Sequence, residues 1–246
     1  MHTARDAACR VSVIIRSMGR PELAEALASV GAQDYPNIEV VLVDALGGLS
    51  APSSNGCGRF PINFVPGTAR RLRPVAANAG LAAAGGDLLT FLDEDDLFEA
   101  GHVAGLVQAL DARTDCIAAY SIAREIDRQG RVLRVRAQPF ARFLLFCECY
   151  LHFGSVLFRR EALASCRFDE QFELCEDWDF WLQVSRLGPF VLVPNETAVY
   201  RAERGESGMG GASTNRDVER ARPYVDRLAA KWAEDARAAG RDLDLR

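Results

Sequence analysis

The sequence contains almost no lysine. Lys231 is the only one, and apart from three histidines every other basic side chain is arginine. The formal net charge is −5 and the sequence pI is about 5.4. A chain with this charge has no general electrostatic attraction to nucleic acid or to anionic lipid. We therefore expect no nucleic-acid partner.

The chain also lacks the spacings of a zinc site or a disulfide framework. The cysteines are odd in number and dispersed, without a C-x-x-C pair: Cys9, Cys57, Cys116, Cys147, Cys149, Cys166 and Cys175. Such a set predicts reduced thiols. The three histidines show no metal-ligand spacing. Only His152 is kept as a candidate, for acceptor binding.

Long apolar runs are absent as well. No window reaches the roughly 18 apolar residues of a membrane-spanning helix. Residues 1–10 lack the apolar core of a signal peptide. We expect a cytoplasmic protein without a transmembrane segment, and peripheral association with a membrane or a complex is compatible with this pattern.

Strands and helices alternate through the first half of the chain. Its 246 residues, of which 49% are hydrophobic, suit one domain with a sizeable core. The apolar runs 11–15 and 38–43 flank a helical pattern that begins near Pro21, which predicts two parallel strands joined by a right-handed crossover. Later patterns predict strands at 61–65, 88–92 and 154–158, helices at 76–84, 97–110 and 215–238, and a hairpin of 116–126 with 132–135. This order predicts an α/β nucleotide-binding sheet with a mixed second half.

Four consecutive acids, Asp93 to Asp96, follow the apolar run 88–92. Adjacent carboxylates repel one another, and a divalent cation such as Mg²⁺ or Mn²⁺ would offset that repulsion. Asp93 and Asp95 can both reach one ion. Alternatively, Asp95 or Asp96 caps the next helix. Capping accounts for one or two acids but not for four, so we favour the metal.

Three arginines, at positions 70, 71 and 73, precede the alanine-rich helix. Guanidinium groups at this place can bind the base and phosphates of an anionic substrate, or form ion pairs in a solvated turn. The residues alone leave both interpretations open.

A second acidic cluster contains Glu176, Asp177 and Asp179, interleaved with Trp178 and Trp181. The pattern predicts a largely buried helix with Asp177 in its first turn. An aspartate there can simply be a helix cap. A catalytic role is favoured because the chain already carries a metal-like acidic cluster.

The ordered motifs resemble those of the inverting family 2 glycosyltransferases with the GT-A fold. They are the Val-Ser-Val-Ile-Ile run from Val11, Arg20-Pro21-Glu22-Leu23, the segments 32–36, 41–44 and 78–81, Asp93 to Asp96, and Glu176-Asp177-Trp178-Asp179. The resemblance covers about residues 11–201. It implies a Rossmann-like, open, mostly parallel sheet flanked by helices, with a mixed C-terminal half that binds the acceptor.

The resemblance also implies roles for individual residues. Asp44 would bind the base of a nucleotide-sugar, typically uracil, and Arg73, with Arg71, would contact the base or diphosphate. Asp93-Glu94-Asp95 looks like the D-x-D motif, in which Asp95 binds the metal, Mn²⁺ or Mg²⁺, and Asp93 touches the donor and supports the metal. Asp177 would be the catalytic base, and a helix N-terminus would keep it ionised. Ile15 and Arg16, on the first strand, complete the expected donor site.

The second half is expected to hold the acceptor, a glycan, lipid-linked or other hydroxyl compound. Acceptor or lid residues would be Glu176, His152, Trp178, Arg201 and Arg204, with the two arginines reaching phosphate. Residues 205–213 resemble a lid. The family usually has proline where Arg16 stands and often a second aspartate where Ala45 stands, so this chain departs from its base-recognition pattern.

We expect a single domain over 1–246: a donor half at 11–110, an acceptor and base half at 111–214, and a C-terminal helix and tail at 215–246. The Gln-x-x-Arg-Trp motif of processive synthases is absent. Two other functions stay open: a noncatalytic nucleotide-sugar-binding or scaffold module of the same fold, and a sugar nucleotidyltransferase. The latter is disfavoured because residues 16–19 make a poor phosphate loop.

Overall fold

The computed structural model describes residues 8–53, 56–204 and 218–244. Within these ranges there are ten strands: β1 (Val11–Ser17), β2 (Ile38–Asp44), β3 (Gly56–Cys57), β4 (Phe60–Val65), β5 (Leu88–Asp93), β6 (Leu97–Phe98), β7 (Ala118–Ile126), β8 (Val132–Arg136), β9 (Val156–Arg159) and β10 (Phe190–Arg201). The same ranges contain six α-helices: α1 (Leu23–Gly31), α2 (Arg73–Ala83), α3 (His102–Ala112), α4 (Arg142–Cys147), α5 (Glu176–Val184) and α6 (Val218–Asp244). The predicted lid at 205–213 lies outside the described residues.

The strands form one mixed sheet in the order β3-β4-β2-β1-β5-β9-β7-β10-β6, with β8 paired to β7. β4, β2, β1 and β5 are parallel neighbours, as the predicted crossover requires. β9 is antiparallel to both β5 and β7, and so joins the two halves of the chain within one sheet. This is the predicted α/β architecture.

The sheet carries a hydrophobic core on each face. Every residue of β1 and β2 is buried, which explains their nearly continuous apolar sequence. Ile14 belongs to the core under α2, whereas its neighbours Val13 and Ile15 belong to the core under α1 and α3. Alternation along a strand thus places successive side chains in different cores.

The predicted helix at 97–110 begins later than expected. Leu97 and Phe98 form β6, which pairs with Ala198 and Val199 of β10, and α3 starts at His102 after Gly101, whose φ is 77°. Pairing with a distant strand overrides the local helical pattern here. Neither Asp95 nor Asp96 caps α3, so the capping interpretation is wrong for both.

The remaining elements follow the sequence more closely. The predicted hairpin is confirmed as β7 and β8, and its turn contains Gly130 with a φ of 79°. α2 starts at Arg73, three residues earlier than predicted, with Pro74 in its first turn. α6 extends to Asp244, beyond the predicted end at 238. Across the described ranges, no helix is both long enough and apolar enough to pass through a bilayer.

Candidate active site

Three parallel strands end at one edge of the sheet. Ser17, Asp44 and Asp93 are the last residues of β1, β2 and β5, and the register pairs Ser17 with Asp44 and Arg16 with Asp93. Ligands of open α/β sheets bind outside the carboxyl ends of such strands. The predicted donor residues therefore lie at the edge where a ligand is expected.

Arg16 connects this edge to α5. Its Nη2 donates to Oδ1 of Asp93 at 2.7 Å, and its Nη1 donates to Oε1 of Glu176 at 3.0 Å. The guanidinium lies over the ring of Phe153, 4.3 Å from its centroid. These two ion pairs bring together two acidic motifs that are 83 positions apart in sequence. The site around Arg16, Asp93, Glu176 and the adjacent Asp177 is called the cleft.

Asp93 and Asp95 differ in their electrostatic surroundings. Burial raises the pKa of Asp93, but the guanidinium groups of Arg16 and Arg73 outweigh it and hold that pKa below its usual range. Burial and the charges of Asp96 and Asp93 raise the pKa of Asp95 to about 7, although Arg20 opposes the shift. An added cation would therefore favour the ionised form of Asp95.

Glu94 and Asp96 have partners within the protein. Glu94 is buried and accepts from the Ser17 hydroxyl at 2.7 Å and from the backbone N–H of Met18 at 2.9 Å. Asp96 is also buried; its Oδ1 accepts from the backbone N–H of Arg201 at 2.9 Å. Glu94 thus holds the loop after β1 and Asp96 holds the end of β10. Asp93 and Asp95 are the two acids of the run that remain candidates for ligand binding.

His152 lies beside Asp96 rather than on an open surface. Its Nε2 is 3.3 Å from Oδ2 of Asp96, and its Nδ1 accepts from the backbone N–H of Gly154 at 3.2 Å. The ring packs against Tyr200, with centroids 4.9 Å apart. Only 10% of the side chain is exposed. Its predicted contact with an acceptor stays a prediction.

The predicted base stands in the first turn of α5. Cys175 precedes the helix with a φ of 63°, the only positive φ outside glycine among the described residues. Asp177 is half-buried, and its Oδ1 accepts from the backbone N–H of Trp178 at 2.8 Å. Burial and the charge of Glu176 raise the pKa of Asp177 to about 6, against the opposing effects of that hydrogen bond and of Arg73 and Arg16. The helix N-terminus was expected to favour ionisation, but burial outweighs it.

A carboxylate with a pKa near 6 suits a general base, since it is largely ionised at pH 7 yet binds a proton more tightly than an ordinary aspartate. Trp178, the next residue, donates its indole N–H to the carbonyl of Leu145 at 2.6 Å. This contact ties α5 to α4. Trp178 therefore supports the position of the helix, and its predicted acceptor role stays a prediction.

Asp44 is completely buried and surrounded by backbone donors. It accepts from the N–H groups of Gly47, Gly48, Leu49 and Gly67 at 2.7–3.2 Å. Burial raises the pKa of Asp44, but these four donors together outweigh it and hold the pKa below its usual range. The carboxylate organises the loop after β2. A contact with a nucleotide base stays a prediction.

The two arginines expected at the base or diphosphate occupy different places. Arg71 donates to the carbonyls of Asp44 and Pro66, each at 2.9 Å, and so clamps the same loop. Arg73 opens α2 and lies 3.9 Å from Oε1 of Glu176, with 32% of its side chain exposed. Arg73 faces the cleft. Ile15 is fully buried in the core, so its side chain does not reach the cleft.

Arg201 and Arg204 meet an acid that the sequence did not single out. Both guanidinium groups pair with Glu25 of α1, and Arg201 also donates to the carbonyl of Asp95. Arg201 is only 4% exposed. These pairings join the end of β10 to α1, so contact of either arginine with phosphate stays a prediction.

Sequence reasoning also missed Arg20, whose guanidinium lies 3.4 Å from Oδ2 of Asp95 and 3.7 Å from Glu94. In the sequence, Arg20 directly precedes Pro21, so its position indicates the beginning of a helical pattern and not an acid's partner. The sequence does not single out Phe153 either, whose ring lies under the Arg16 guanidinium. A basic residue after the first strand, opposite an acidic strand end, is the signal that could have identified Arg20.

The residues fit a divalent metal that takes part of its coordination from a substrate. Within 8–53, 56–204 and 218–244, no three His, Cys, Asp or Glu side chains form a metal-binding group. Mg²⁺ and Mn²⁺ sites with phosphate substrates often use only one or two protein carboxylates. Asp95, whose pKa is raised by burial and by the charges of Asp96 and Asp93, would supply such a pair together with Asp93.

This chain is similar to known glycosyltransferases. The Glycosyl transferase family 2 model matches residues 12–166, which is more than half of the chain. "Uncharacterized glycosyltransferase YwdF" of Bacillus subtilis (strain 168) is 24% identical over 229 residues, covering 90% of this chain and 84% of that protein. "Amylovoran biosynthesis glycosyltransferase AmsB" of Erwinia amylovora is 25% identical over 206 residues, covering 77% of this chain and 68% of that protein.

Solved structures share the fold at low sequence identity. S. aureus TarS 1-349 in complex with UDP-GlcNAc superposes with a TM-score of 0.62 at 16% identity, covering 80% of this chain and 60% of that chain. The mannosyltransferase PcManGT from Pyrobaculum calidifontis, in complex with GDP-Man and Mn²⁺, gives a TM-score of 0.59 at 18% identity, covering 98% of this chain and 81% of that chain. This chain thus spans about three fifths of the TarS chain. The solved structures show that the fold is GT-A, and the family match over more than half of the chain shows that this chain belongs to glycosyl transferase family 2 and is a glycosyltransferase.

Proposed function

We propose that the chain transfers a sugar, with inversion, from a nucleoside diphosphate sugar, a UDP sugar, to an acceptor hydroxyl, in a reaction that depends on a divalent metal. The observation that carries this proposal is Arg16, which contacts Asp93 at the end of β5 and Glu176 at the start of α5. Asp177 follows Glu176. A donor motif and a carboxylate suited to act as a base therefore lie in the same cleft.

Asp177 would accept the proton of the acceptor hydroxyl while that oxygen attacks the anomeric carbon on the face opposite the diphosphate. The bond from the anomeric carbon to the diphosphate oxygen breaks, and the configuration inverts through an oxocarbenium-like state. The pKa of about 6 supports this role, because the base is available at neutral pH.

Asp95 and Asp93 would hold the metal, with Asp93 also contacting the donor. The bound metal would stabilise the negative charge that develops on the leaving diphosphate. Arg73, which faces the cleft beside Glu176, would contact the diphosphate. The similar structures of TarS and PcManGT were solved with nucleotide-sugars, which supports a nucleotide-sugar donor. The nucleotide-sugar is UDP-GlcNAc in TarS and GDP-Man in PcManGT. The test must therefore include both nucleotides.

Thermal denaturation with UDP or GDP, each with and without Mn²⁺, tests the donor site. We expect UDP with Mn²⁺ to raise the melting temperature, since a ligand that binds only the folded state stabilises it. The Asp95→Ala variant should lose the part of this rise in melting temperature that depends on Mn²⁺. If neither nucleotide changes the melting temperature with the metal, the proposed donor site is wrong.

Hydrolysis of UDP-GlcNAc and GDP-Man, with water as the acceptor, tests the base. The Asp177→Asn variant should bind nucleotide normally and lose hydrolysis by about 100-fold or more. Hydrolysis at the wild-type rate in this variant would remove Asp177 from the mechanism. Nucleotide binding without turnover by the wild-type protein would instead favour a noncatalytic binding module.

A further inference from the structure

Arg16 was expected to contact the donor, but its guanidinium is already surrounded by protein. Nε and Nη2 both donate to Oδ1 of Asp93, at 3.3 and 2.7 Å, and Nη1 donates to Oε1 of Glu176 at 3.0 Å. The ring of Phe153 covers one face, and only 7% of the side chain is exposed. Little of the group is available to a ligand.

We propose that Arg16 is a positioning residue, which fixes the start of α5 against the end of β5 and supplies the positive charge that balances Asp93 and Glu176 beside Asp177. The proposal rests on the proposed function, in which Asp177 is the base. It assigns Arg16 to the protein's own framework instead of the donor. It also gives Glu176 a role: this acid receives Arg16 and so holds the first turn of the helix.

The geometry makes the three charges interdependent. Arg16 and Asp93 are cross-strand partners on β1 and β5, so the backbone fixes their separation. Glu176 is 97% buried and also lies 3.9 Å from Arg73. Removing Arg16 leaves the buried Glu176 with the longer contact to Arg73, so it must either displace α5 or leave less compensated negative charge beside Asp177.

Several charged and titratable groups act on Asp177 from the elements around it. Burial and the charge of Glu176 favour its neutral form. The Trp178 N–H, Arg73 of α2 and Arg16 of β1 favour its ionised form. The thiols of Cys149 and Cys175 also interact electrostatically with Asp177. Removing Arg16 and removing Glu176 must therefore move the proton affinity of Asp177 in opposite directions.

The test is the pKa of the Asp177 carboxyl, measured by carbon-13 NMR in the metal-free 246-residue chain and assigned by the loss of its resonance in Asp177→Asn. Arg16→Met, which keeps the aliphatic stem, should raise this pKa by about one unit. Glu176→Gln should lower it by a similar amount. Arg16→Lys retains the positive charge, so it should leave the pKa of Asp177 close to wild type. An ammonium group cannot reproduce the planar guanidinium's contacts with both Asp93 and Glu176, so hydrolysis of UDP-GlcNAc or GDP-Man should fall about 10- to 100-fold.

These shifts of opposite sign cannot come from a general loss of stability. If Arg16→Met does not fold, the pKa of Asp177 can still be compared between wild type, Glu176→Gln and Arg16→Lys. An Asp177 pKa that stays within about 0.2 unit of wild type in Glu176→Gln, or in a folded Arg16→Met, overturns the proposal. Failure of the proposed function has a different signature, namely wild-type hydrolysis by Asp177→Asn.

Discussion

The indole N–H of Trp232 donates a hydrogen bond to Oδ1 of Asp179, 2.8 Å away. Asp179 is completely buried on α5, and Lys231, the only lysine of the chain, lies 2.9 Å from the same carboxylate oxygen. Two successive residues of α6 thus compensate one buried charge on α5, the helix whose first turn contains the proposed base. α6 therefore supports the position of α5.

This relationship predicts that Trp232→Phe destabilises the protein. The substitution keeps an aromatic ring in place but leaves the buried Asp179 with one donor fewer, so the free energy of unfolding should fall by about 1–3 kcal/mol. Urea denaturation measures the change. Tyr224→Phe is the matched control, because Tyr224 also donates one hydrogen bond from α6, to Glu173 at an exposed site, and its loss should cost less than about 0.5 kcal/mol. Equal effects of the two substitutions would contradict the prediction.

Replacing each of two helical glycines by alanine should change the stability of the protein in opposite directions. A Cβ at Gly80 of α2 would lie 2.3 Å from Cγ2 of Ile14, whereas a Cβ at Gly105 of α3 would meet no atom closer than 3.9 Å. Gly80→Ala forces α2 away from β1 and should destabilise by about 1–3 kcal/mol. Gly105→Ala should stabilise by about 0.5–1 kcal/mol, because alanine favours the helix without a clash. Thermal denaturation of both variants checks the sign as well as the size of each effect.

Asp44 should contribute stability that disappears in acid. Its folded-state pKa is held below the usual range, so the ionised form stabilises the fold above the unfolded pKa of about 4, and that contribution is lost as the pH falls through the folded value. Asp44→Asn should therefore lower the free energy of unfolding by about 2 kcal/mol at pH 7, and the difference from wild type should shrink below about pH 4.

Exposed Asp226 of α6 provides the control, since Asp226→Asn should leave stability almost unchanged at either pH. A wild-type free energy of unfolding in Asp44→Asn at pH 7 would show that the loop does not need the carboxylate. Nucleotide binding by the same variant, measured at a temperature where it is folded, tests the base contact separately.

The sequence predicts the strands and the order of motifs because both depend on local patterns. The apolar runs of β1, β2 and β5 are buried on both faces, and each ends near a polar residue. What the sequence cannot reveal is how each acid of the run Asp93 to Asp96 finds its partner. Asp93 meets Arg16, 77 positions away, whereas Asp96 meets the backbone of Arg201, 105 positions away. These choices depend on the sheet order, which no local pattern encodes.

Asp95 should destabilise the protein when no metal is bound. Its folded-state pKa is raised to about 7, so the folded protein holds this proton more tightly than the unfolded chain, and stability falls as the pH rises from about 4 to about 7. Asp95→Asn removes the charge, and in metal-free buffer at pH 8 it should raise the free energy of unfolding by roughly 1–2 kcal/mol. The advantage should vanish near pH 4, where the wild-type acid is protonated.

The same variant should lose the stabilisation that Mn²⁺ with UDP gives the wild type, because the carboxylate that is costly without a cation is the one that would bind it. Denaturation at pH 4, 6 and 8, with EDTA or with Mn²⁺ and UDP, measures both effects. Asp111→Asn, an exposed substitution on α3, should change neither. A variant at Asp95 that is less stable than wild type in EDTA at pH 8 would contradict the prediction, and would mean that the ion pair with Arg20, 3.4 Å away, stabilises the fold by more than the buried charge costs.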